Sequence, residues 1–261
     1  MKTMTRRQML KTSAATVAGA TLLGTNAFSM DKEHTGEKGK ARAKKKVLVI
    51  GAHPDDPESC AGGTILKMLD HGFDVKVIYF TRGERGIANV SLQESARVRM
   101  AECEQACKVL GVPYRFMTQI DGESEITAER YLEMQEIIKA EQPDMVLTHW
   151  PIDSHRDHVN CSVLVTDTWR RVEKKFDIFY FEAMTGLQSK TFLPTDLVDI
   201  SKFHDKKVEA LYCHTSQDCP DWYPAYHLKM EEFYGLRLAR KYAEAFVRFD
   251  QNPTLKAIME Y

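Results

Sequence analysis

Short apolar runs alternate with longer amphipathic segments from residue 47 onward. Runs rich in Val, Ile and Phe predict buried strands, and longer segments that end near Gly or Pro predict helices. The predicted strands are 47–50, 75–80, 114–118, 145–148, 178–181 and a short one at 197–200. The predicted helices are 58–71, 92–110, 128–140, 158–174, 201–212 and 229–246.

This alternation indicates an α/β fold, a Rossmann-like, doubly wound and mostly parallel sheet with helices on both faces. Residues 47–261 are enough for one such domain and too few for two. The first and fourth strands are neighbours in the common strand order, and ligands bind beyond the carboxyl ends of the strands. Residues that directly follow these two strands should therefore meet.

Charge is distributed unevenly along the chain. Residues 1–45 carry ten Lys and Arg against three Asp and Glu, and the remainder carries 26 against 34. Phosphate binding needs a basic face. The acidic balance of the domain therefore argues against a nucleic-acid partner.

The N-terminal residues resemble a twin-arginine export signal, with Arg6 and Arg7 followed by a hydrophobic residue and Lys11. We expect residues 1–29 to be this signal, 30–46 to be a charged linker, and the mature protein to be exported to the periplasm. The apolar stretch is too short and too polar for a stable membrane span. The alternative is a disordered basic tail.

Six cysteines occur without a Cys-x-x-Cys pair, so the sequence does not favour a thiolate zinc site. In an exported protein Cys213 and Cys219 are close enough in sequence to form a disulfide. Six free thiols are the equally acceptable alternative.

Two polar motifs follow the first and fourth predicted strands. The first is His-Pro-Asp-Asp at 53–56, and the second is His-Arg-Asp-His at 155–158. Adjacent side chains diverge, so His53 and one Asp would bind a metal while the other Asp faces its open position. Such a set suits catalytic zinc, and its nitrogen and oxygen donors also permit iron, cobalt or manganese. The first motif alone is also typical of a turn with an Asp N-cap.

These motifs, with Thr-Arg-Gly-Glu at 81–84 and Arg-Met-Ala-Glu at 99–102, resemble the LmbE-like or PIG-L family of deacetylases. The resemblance extends over about residues 47–246. It implies a zinc-dependent N-acetylglucosamine deacetylase in which His53, Asp56 and His158 bind the metal. It further implies that Asp55 is the general base and that His155 is an electrophile or general acid near the oxyanion.

The resemblance also implies that Arg99 and Asp121 lie at the sugar-binding rim. This chain departs from the family at Pro57, inserted before Glu58, and at Arg156, where Pro is usual. A third departure is Asp153, where some members have a Tyr that stabilises the oxyanion. Candidates for that missing role are Tyr223, Tyr226 and His214.

The sequence therefore predicts an exported zinc hydrolase that removes an acyl group, acetyl in particular, from an N-acylated amino sugar or glycoconjugate. One alternative is an amidase that cleaves another amide of a sugar conjugate. Another is a non-catalytic carbohydrate- or metal-binding protein on the same fold. The presence of Asp55 argues against a mere binder, because binding alone does not need a general base.

Overall fold

The structure is a computed structural model that describes residues 44–184 and 186–249. The predicted export signal and most of the predicted linker lie outside these residues. The strands are β1 Lys46–Gly51, β2 Asp74–Tyr79, β3 Tyr114–Phe116, β4 Met145–His149, β5 Asp177–Phe181, β6 Asp196–Asp199 and β7 Ala243–Arg248. The helices are α1 Asp56–Asp70, α2 Leu92–Leu110, α3 Ala128–Glu141, α4 Arg156–Arg171, α5 His204–Leu211, α6 Cys219–Ala225 and α7 His227–Arg237.

The seven strands form one sheet in the order β3-β2-β1-β4-β5-β7-β6. The first five in this order are parallel, and β7 runs antiparallel to both of its neighbours. Strands β1 and β4 are adjacent, as the sequence predicts, with Val47 opposite Met145. The chain winds outward on one side through β2 and β3 and on the other through β4 and β5, so the order reverses at β1.

Alternate residues of β1 enter two separate cores. Val47 and Val49 pack with residues of α1 and α2 on one face of the sheet. Leu48 and Ile50 pack with residues of α3 and α4 on the other face. This period of two along a strand that is buried on both faces produces a continuous apolar run. It confirms the prediction of helices on both sides of a mostly parallel sheet.

The predicted helix at 229–246 is wrong in its C-terminal part. Helix α7 ends at Arg237, and Ala243–Arg248 form β7 between β5 and β6. The sequence Ala-Glu-Ala has high intrinsic helix propensity. Pairing with two strands and burial of Ala243 and Phe246 override that local preference.

Gly51 ends β1 where the chain turns into the first motif. A Cβ atom at this position would lie 2.5 Å from Cδ of Pro57 and 3.0 Å from Cβ of Asp56. Only glycine allows this approach without displacing the start of α1. Pro57 is acceptable because it lies in the first turn of α1, where helix N–H groups have no partner within the helix.

All six cysteines are free, so Cys213 and Cys219 do not form the disulfide considered above. Their sulfur atoms instead lie near backbone oxygens of Glu209 and His214, at 3.5 and 3.7 Å. Within the ranges that the structure describes, no helix is both long and apolar enough to cross a membrane.

Candidate metal centre

A cleft with a volume of about 460 Å³ opens at the carboxyl ends of the parallel strands. Its walls come from the segments that follow β1, β2, β3, β4 and β5, and α6 and α7 add one side. Its lining includes Arg85 after β2, Asp121 after β3, Met184 after β5 and Trp222 from α6. The cleft therefore lies where the strand order reverses, the position in which open α/β sheets bind ligands.

Three ligand atoms converge at the base of the cleft. His53 Nδ1 lies 3.3 Å from Asp56 Oδ2, and His158 Nε2 lies 3.3 Å from His53 Nδ1 and 3.6 Å from Asp56 Oδ2. Donors at about 2.0–2.1 Å from a tetrahedral zinc lie about 3.3–3.4 Å from one another. The two nitrogens and one oxygen therefore form a triangle of the size that a tetrahedral metal requires.

Carboxylates face the outer nitrogens of both histidines. His53 Nε2 lies 3.1 Å from Asp157 Oδ2 and 3.3 Å from Asp121 Oδ1, and His158 Nδ1 lies 3.3 Å from Asp153 Oδ2. An acceptor on one ring nitrogen keeps the proton there and leaves a lone pair on the other nitrogen. The protons thus belong on the outer side, and the lone pairs point into the triangle.

The electrostatics of the three ligands favour a cation. Burial opposes ionisation of Asp56, but His149 and His158 hold its pKa well below the usual range. Burial, with the nearby His149, lowers the pKa of His158 to about 4. Burial also lowers the pKa of His53, but hydrogen bonds to Asp121, Asp157 and Asp56 raise it well above 6.5. His53 must therefore release a proton before it binds a metal.

Asp55 and Asp56 leave the backbone in different directions. Asp55 has a left-handed φ of 101°, which is strained for a residue with a side chain, and its carboxylate makes no capping bond to α1. Asp55 thus occupies the N-cap position, but its side chain does not cap the helix. Its Oδ2 instead accepts a hydrogen bond from Nη2 of Arg99 at 2.9 Å. Burial raises the pKa of Asp55 although Arg99 opposes the shift, and a raised pKa suits a general base.

His155 is the N-cap of α4 and lies beside the triangle, with its ring centroid 4.6 Å from that of His53. Its Nδ1 accepts the N–H of Asp157 at 3.2 Å, so the neutral ring carries its proton on Nε2. Burial, with the nearby His53, lowers the pKa of His155. At neutral pH the ring is an uncharged N–H donor that lines the cleft.

Other sets of possible ligand atoms overlap the triangle, one with His155 in place of Asp56 and one with His149 in place of His53. His149 is the more deeply buried of these two histidines. Its Nε2 lies 3.1 Å from Asp56 Oδ2 but accepts the backbone N–H of Ala52 at 2.9 Å. The ring also stacks on His158, with centroids 4.0 Å apart. His149 Nε2 therefore faces both a backbone donor and a candidate ligand, and the ring packs against Asp56 and His158.

Arg99 and Asp121 both line the cleft, where the sequence places a sugar-binding rim. Each also contacts one of the other candidate site residues directly. Arg99 is only 2% exposed and binds the Asp55 carboxylate and the Pro54 carbonyl through Nη2. Asp121 faces His53 and accepts the N–H of Arg85 at 3.1 Å. Arg99 therefore holds the candidate base Asp55, and Asp121 holds the candidate metal ligand His53.

The three candidates for an oxyanion donor do not line the described walls of the cleft. The Tyr223 hydroxyl donates to Glu231 Oε2 at 2.8 Å and is buried away from the metal centre. His214 is also buried, with Nε2 3.6 Å from Glu58 Oε1. Tyr226 is half-buried at the start of α7. The donor that remains beside the triangle is His155.

The model of a protein family, PIG-L: GlcNAc-PI de-N-acetylase, matches residues 48–169. A diacetylchitobiose deacetylase from Thermococcus kodakarensis is 32% identical over 223 residues, which cover 78% of this chain and 83% of that protein. The chain belongs to the PIG-L family. A probable N-acetyl-α-D-glucosaminyl L-malate deacetylase from Bacillus anthracis is 27% identical, covering 67% of this chain and 82% of the relative.

Among solved structures, N,N'-diacetylchitobiose deacetylase from Pyrococcus horikoshii, in complex with an inhibitor, superposes on this PIG-L protein with a TM-score of 0.72. The two are 26% identical, and the match covers 82% of this chain and 89% of the other. The mixed seven-stranded sheet is therefore the fold of the family.

Sequence reasoning missed the role of Asp157 in this PIG-L chain. Its side chain is fully buried, and it accepts hydrogen bonds from Gly122 N at 2.7 Å and Ser124 Oγ at 2.6 Å while facing His53. In the sequence it is an ordinary acidic residue directly before the helix predicted at 158–174. Its position inside the second motif was the available signal, but only the fold brings the segment at 122–124 against it.

Proposed function

We propose that this protein is a zinc-dependent hydrolase that removes the acetyl group from an N-acetylated amino sugar. The observation that carries the proposal is the triangle of His53, Asp56 and His158, together with the carboxylate of Asp55, which makes no capping hydrogen bond to the helix. Membership of the PIG-L family and two deacetylases among the relatives support this substrate class.

The donor set fits zinc. Two neutral imidazole nitrogens and one carboxylate oxygen are the composition of many catalytic zinc sites, which keep their fourth position open. A zinc ion held there would lower the pKa of a water molecule towards about 7 and polarise an acyl carbonyl. The carboxylates of Asp157 and Asp153 face the outer nitrogens of His53 and His158. Carboxylates in this position commonly orient histidine ligands of a metal.

The residues of the chain supply the proton transfers. Asp55 takes a proton from the attacking water as the new C–O bond forms, and Arg99 keeps this carboxylate aimed at the cleft. His155 donates its Nε2 proton in a hydrogen bond to the carbonyl oxygen as negative charge develops. When the C–N bond breaks, Asp55 returns its proton to the leaving amine. The products are a free carboxylic acid and an amino sugar.

The outer part of the cleft suits a sugar ring. Gln188 offers an amide group, and Trp222 offers an indole ring of the kind that stacks on sugars. The Trp222 Nε1 proton is already donated to the carbonyl of Gln217 at 2.8 Å, which fixes the indole at the cleft wall. Polar groups around an aromatic surface favour a hydroxyl-rich ligand over a lipid or a peptide.

The test is release of primary amine from N-acetylglucosamine, diacetylchitobiose and N-acetylglucosaminyl malate by zinc-loaded protein. We expect amine and acetate in equal amounts from at least one substrate, and no reaction by chelator-treated protein until zinc is restored. Asp55→Asn protein that retains zinc is the control for contaminating activity. Zinc-loaded parent protein that releases no amine from any N-acetylated sugar would rule out this function.

We further propose that the protein is exported through its twin-arginine motif and acts in the periplasm. The support is the sequence alone, with Arg6 and Arg7 ahead of a weakly apolar stretch. These residues lie outside the described part of the chain.

A further inference from the structure

The carboxylate of Asp153 lies behind the metal centre, between β4 and α4, and has no exposed area. Its Oδ1 accepts the backbone N–H of His155 at 2.7 Å. Its Oδ2 accepts the hydroxyl proton of Ser189 at 2.8 Å and lies 3.3 Å from Nδ1 of His158. An ionised carboxylate only accepts hydrogen bonds, so each of these neighbours must present a proton to it.

The contact with His158 decides which ring nitrogen carries the proton. His158 Nδ1 is buried and makes no well-aligned hydrogen bond within the described ranges, so the carboxylate of Asp153 is the acceptor placed to hold its proton. With the proton on Nδ1, the lone pair is on Nε2, the atom that faces His53 Nδ1 and Asp56 Oδ2. An imidazole with the opposite tautomer would point an N–H bond into the triangle and could not bind a metal.

The same contacts show why Asp153 does not take over the role that a Tyr has at this position in some family members. A Tyr here would offer a hydroxyl proton to a substrate oxygen, as the resemblance implies. Asp153 is buried, is already engaged by three neighbours and has no proton to offer. Where some family members have a Tyr that contacts the substrate, this chain has an Asp that contacts a candidate metal ligand.

We propose that Asp153 is a positioning residue that fixes the tautomer of His158 and thereby sets the metal affinity of the site. This inference rests on the proposed function only in assigning His158 to the metal. It makes no assumption about the substrate, so its test is a binding measurement and remains informative if deacetylation is not found.

The test is the zinc affinity of Asp153→Asn, measured by competition with a chromophoric chelator. The amide oxygen can still accept the N–H of His155, which turns the amide N–H₂ towards His158 Nδ1. That donor favours the tautomer with the proton on Nε2, so we expect the zinc dissociation constant to rise by about 10- to 100-fold, the usual effect of losing such a partner. Saturating zinc should restore most of kcat with little change in KM.

Ser189→Ala is the matched control, because it breaks the other hydrogen bond of Asp153 Oδ2 and leaves the contact with His158. We expect its zinc affinity to match the parent. Unchanged affinity in Asp153→Asn, or an equal loss in Ser189→Ala, would overturn the proposal.

A second measurement uses the parent protein and so does not depend on folding of a variant. Nitrogen-15 NMR of the histidine rings in metal-free protein should show His158 protonated on Nδ1. A His158 ring protonated on Nε2 would contradict the inference directly.

Discussion

Replacing Asp55 by Asn separates the general base from the metal ligands within one dipeptide. The carboxylate of Asp55 bonds to Arg99, whereas Asp56 Oδ2 lies in the triangle with His53 and His158. Asp55→Asn should therefore keep the full zinc content while kcat falls by about two to four orders of magnitude, the usual contribution of a general base.

The effect on stability should be small by comparison. Arg99 is 2% exposed, and it would exchange a charge-assisted hydrogen bond for one to a neutral amide. Such an exchange costs about 1–2 kcal/mol. Asn, like Asp, tolerates the left-handed backbone at this position, with φ 101°, so the substitution adds no backbone strain. For a domain of this size 1 kcal/mol lowers Tm by roughly 2–4 °C, so unfolding cannot explain the loss of rate at 25 °C.

The assay combines zinc content by mass spectrometry, amine release and thermal unfolding on the same preparations. Asp56→Asn is the matched control, since it makes the same chemical change one residue later and should empty the site. If Asp55→Asn loses zinc while Asp56→Asn retains it, the two carboxylates have been assigned the wrong way round.

Further outcomes can be checked with the same preparations. His155→Ala should retain zinc and lose about two or more orders of magnitude in kcat, because it removes one preorganised oxyanion donor; loss of zinc would instead make it a ligand. Asp121→Asn should weaken zinc binding about tenfold as well as sugar turnover, since Asp121 faces His53 Nε2; unchanged zinc affinity would restrict it to the sugar. Hydrogen bonds to Asp121, Asp157 and Asp56 outweigh burial and raise the pKa of His53 well above 6.5, which favours a protonated ring in the metal-free protein. Zinc must displace that proton, and calorimetry in buffers of different ionisation enthalpy should show proton release and an affinity that falls as the pH is lowered. Replacing Arg6 and Arg7 by Lys should leave active precursor in the cytoplasm, and undiminished export would exclude the twin-arginine signal.

Much of the fold could be predicted because its strands are buried on both faces. Residues 47–50 appear in the sequence as an uninterrupted apolar run, and the structure divides them between two cores. The segment at 243–246 could not be predicted in this way. Its Ala and Glu residues favour a helix locally, and only pairing with β5 and β6 makes it a strand.

The candidate metal centre could likewise be predicted from the sequence only in part. The candidate ligands follow two strands that the fold class places side by side, so their convergence could be expected from the motifs. The hydrogen bonds that hold the supporting carboxylates could not be predicted from the motifs. Asp157 reaches Gly122, and Asp153 reaches Ser189, across 35 and 36 positions of sequence. No local pattern marks these partners, because each depends on how a loop returns to the sheet.

The close approach of Gly51 to Pro57 bears on how family members without enzymatic activity can be identified from their sequences. A sequence comparison that looks for inactive enzymes normally checks the metal ligands and the general base. It does not check a glycine at the end of a strand. Here a methyl group at position 51 would overlap Pro57 and press on Asp56. A chain with every ligand intact and Ala at that position would still carry a displaced carboxylate. Mutational tolerance at this buried strand end is thus set by the metal site rather than by the core, and a survey of family members should count Gly51 among its diagnostic positions.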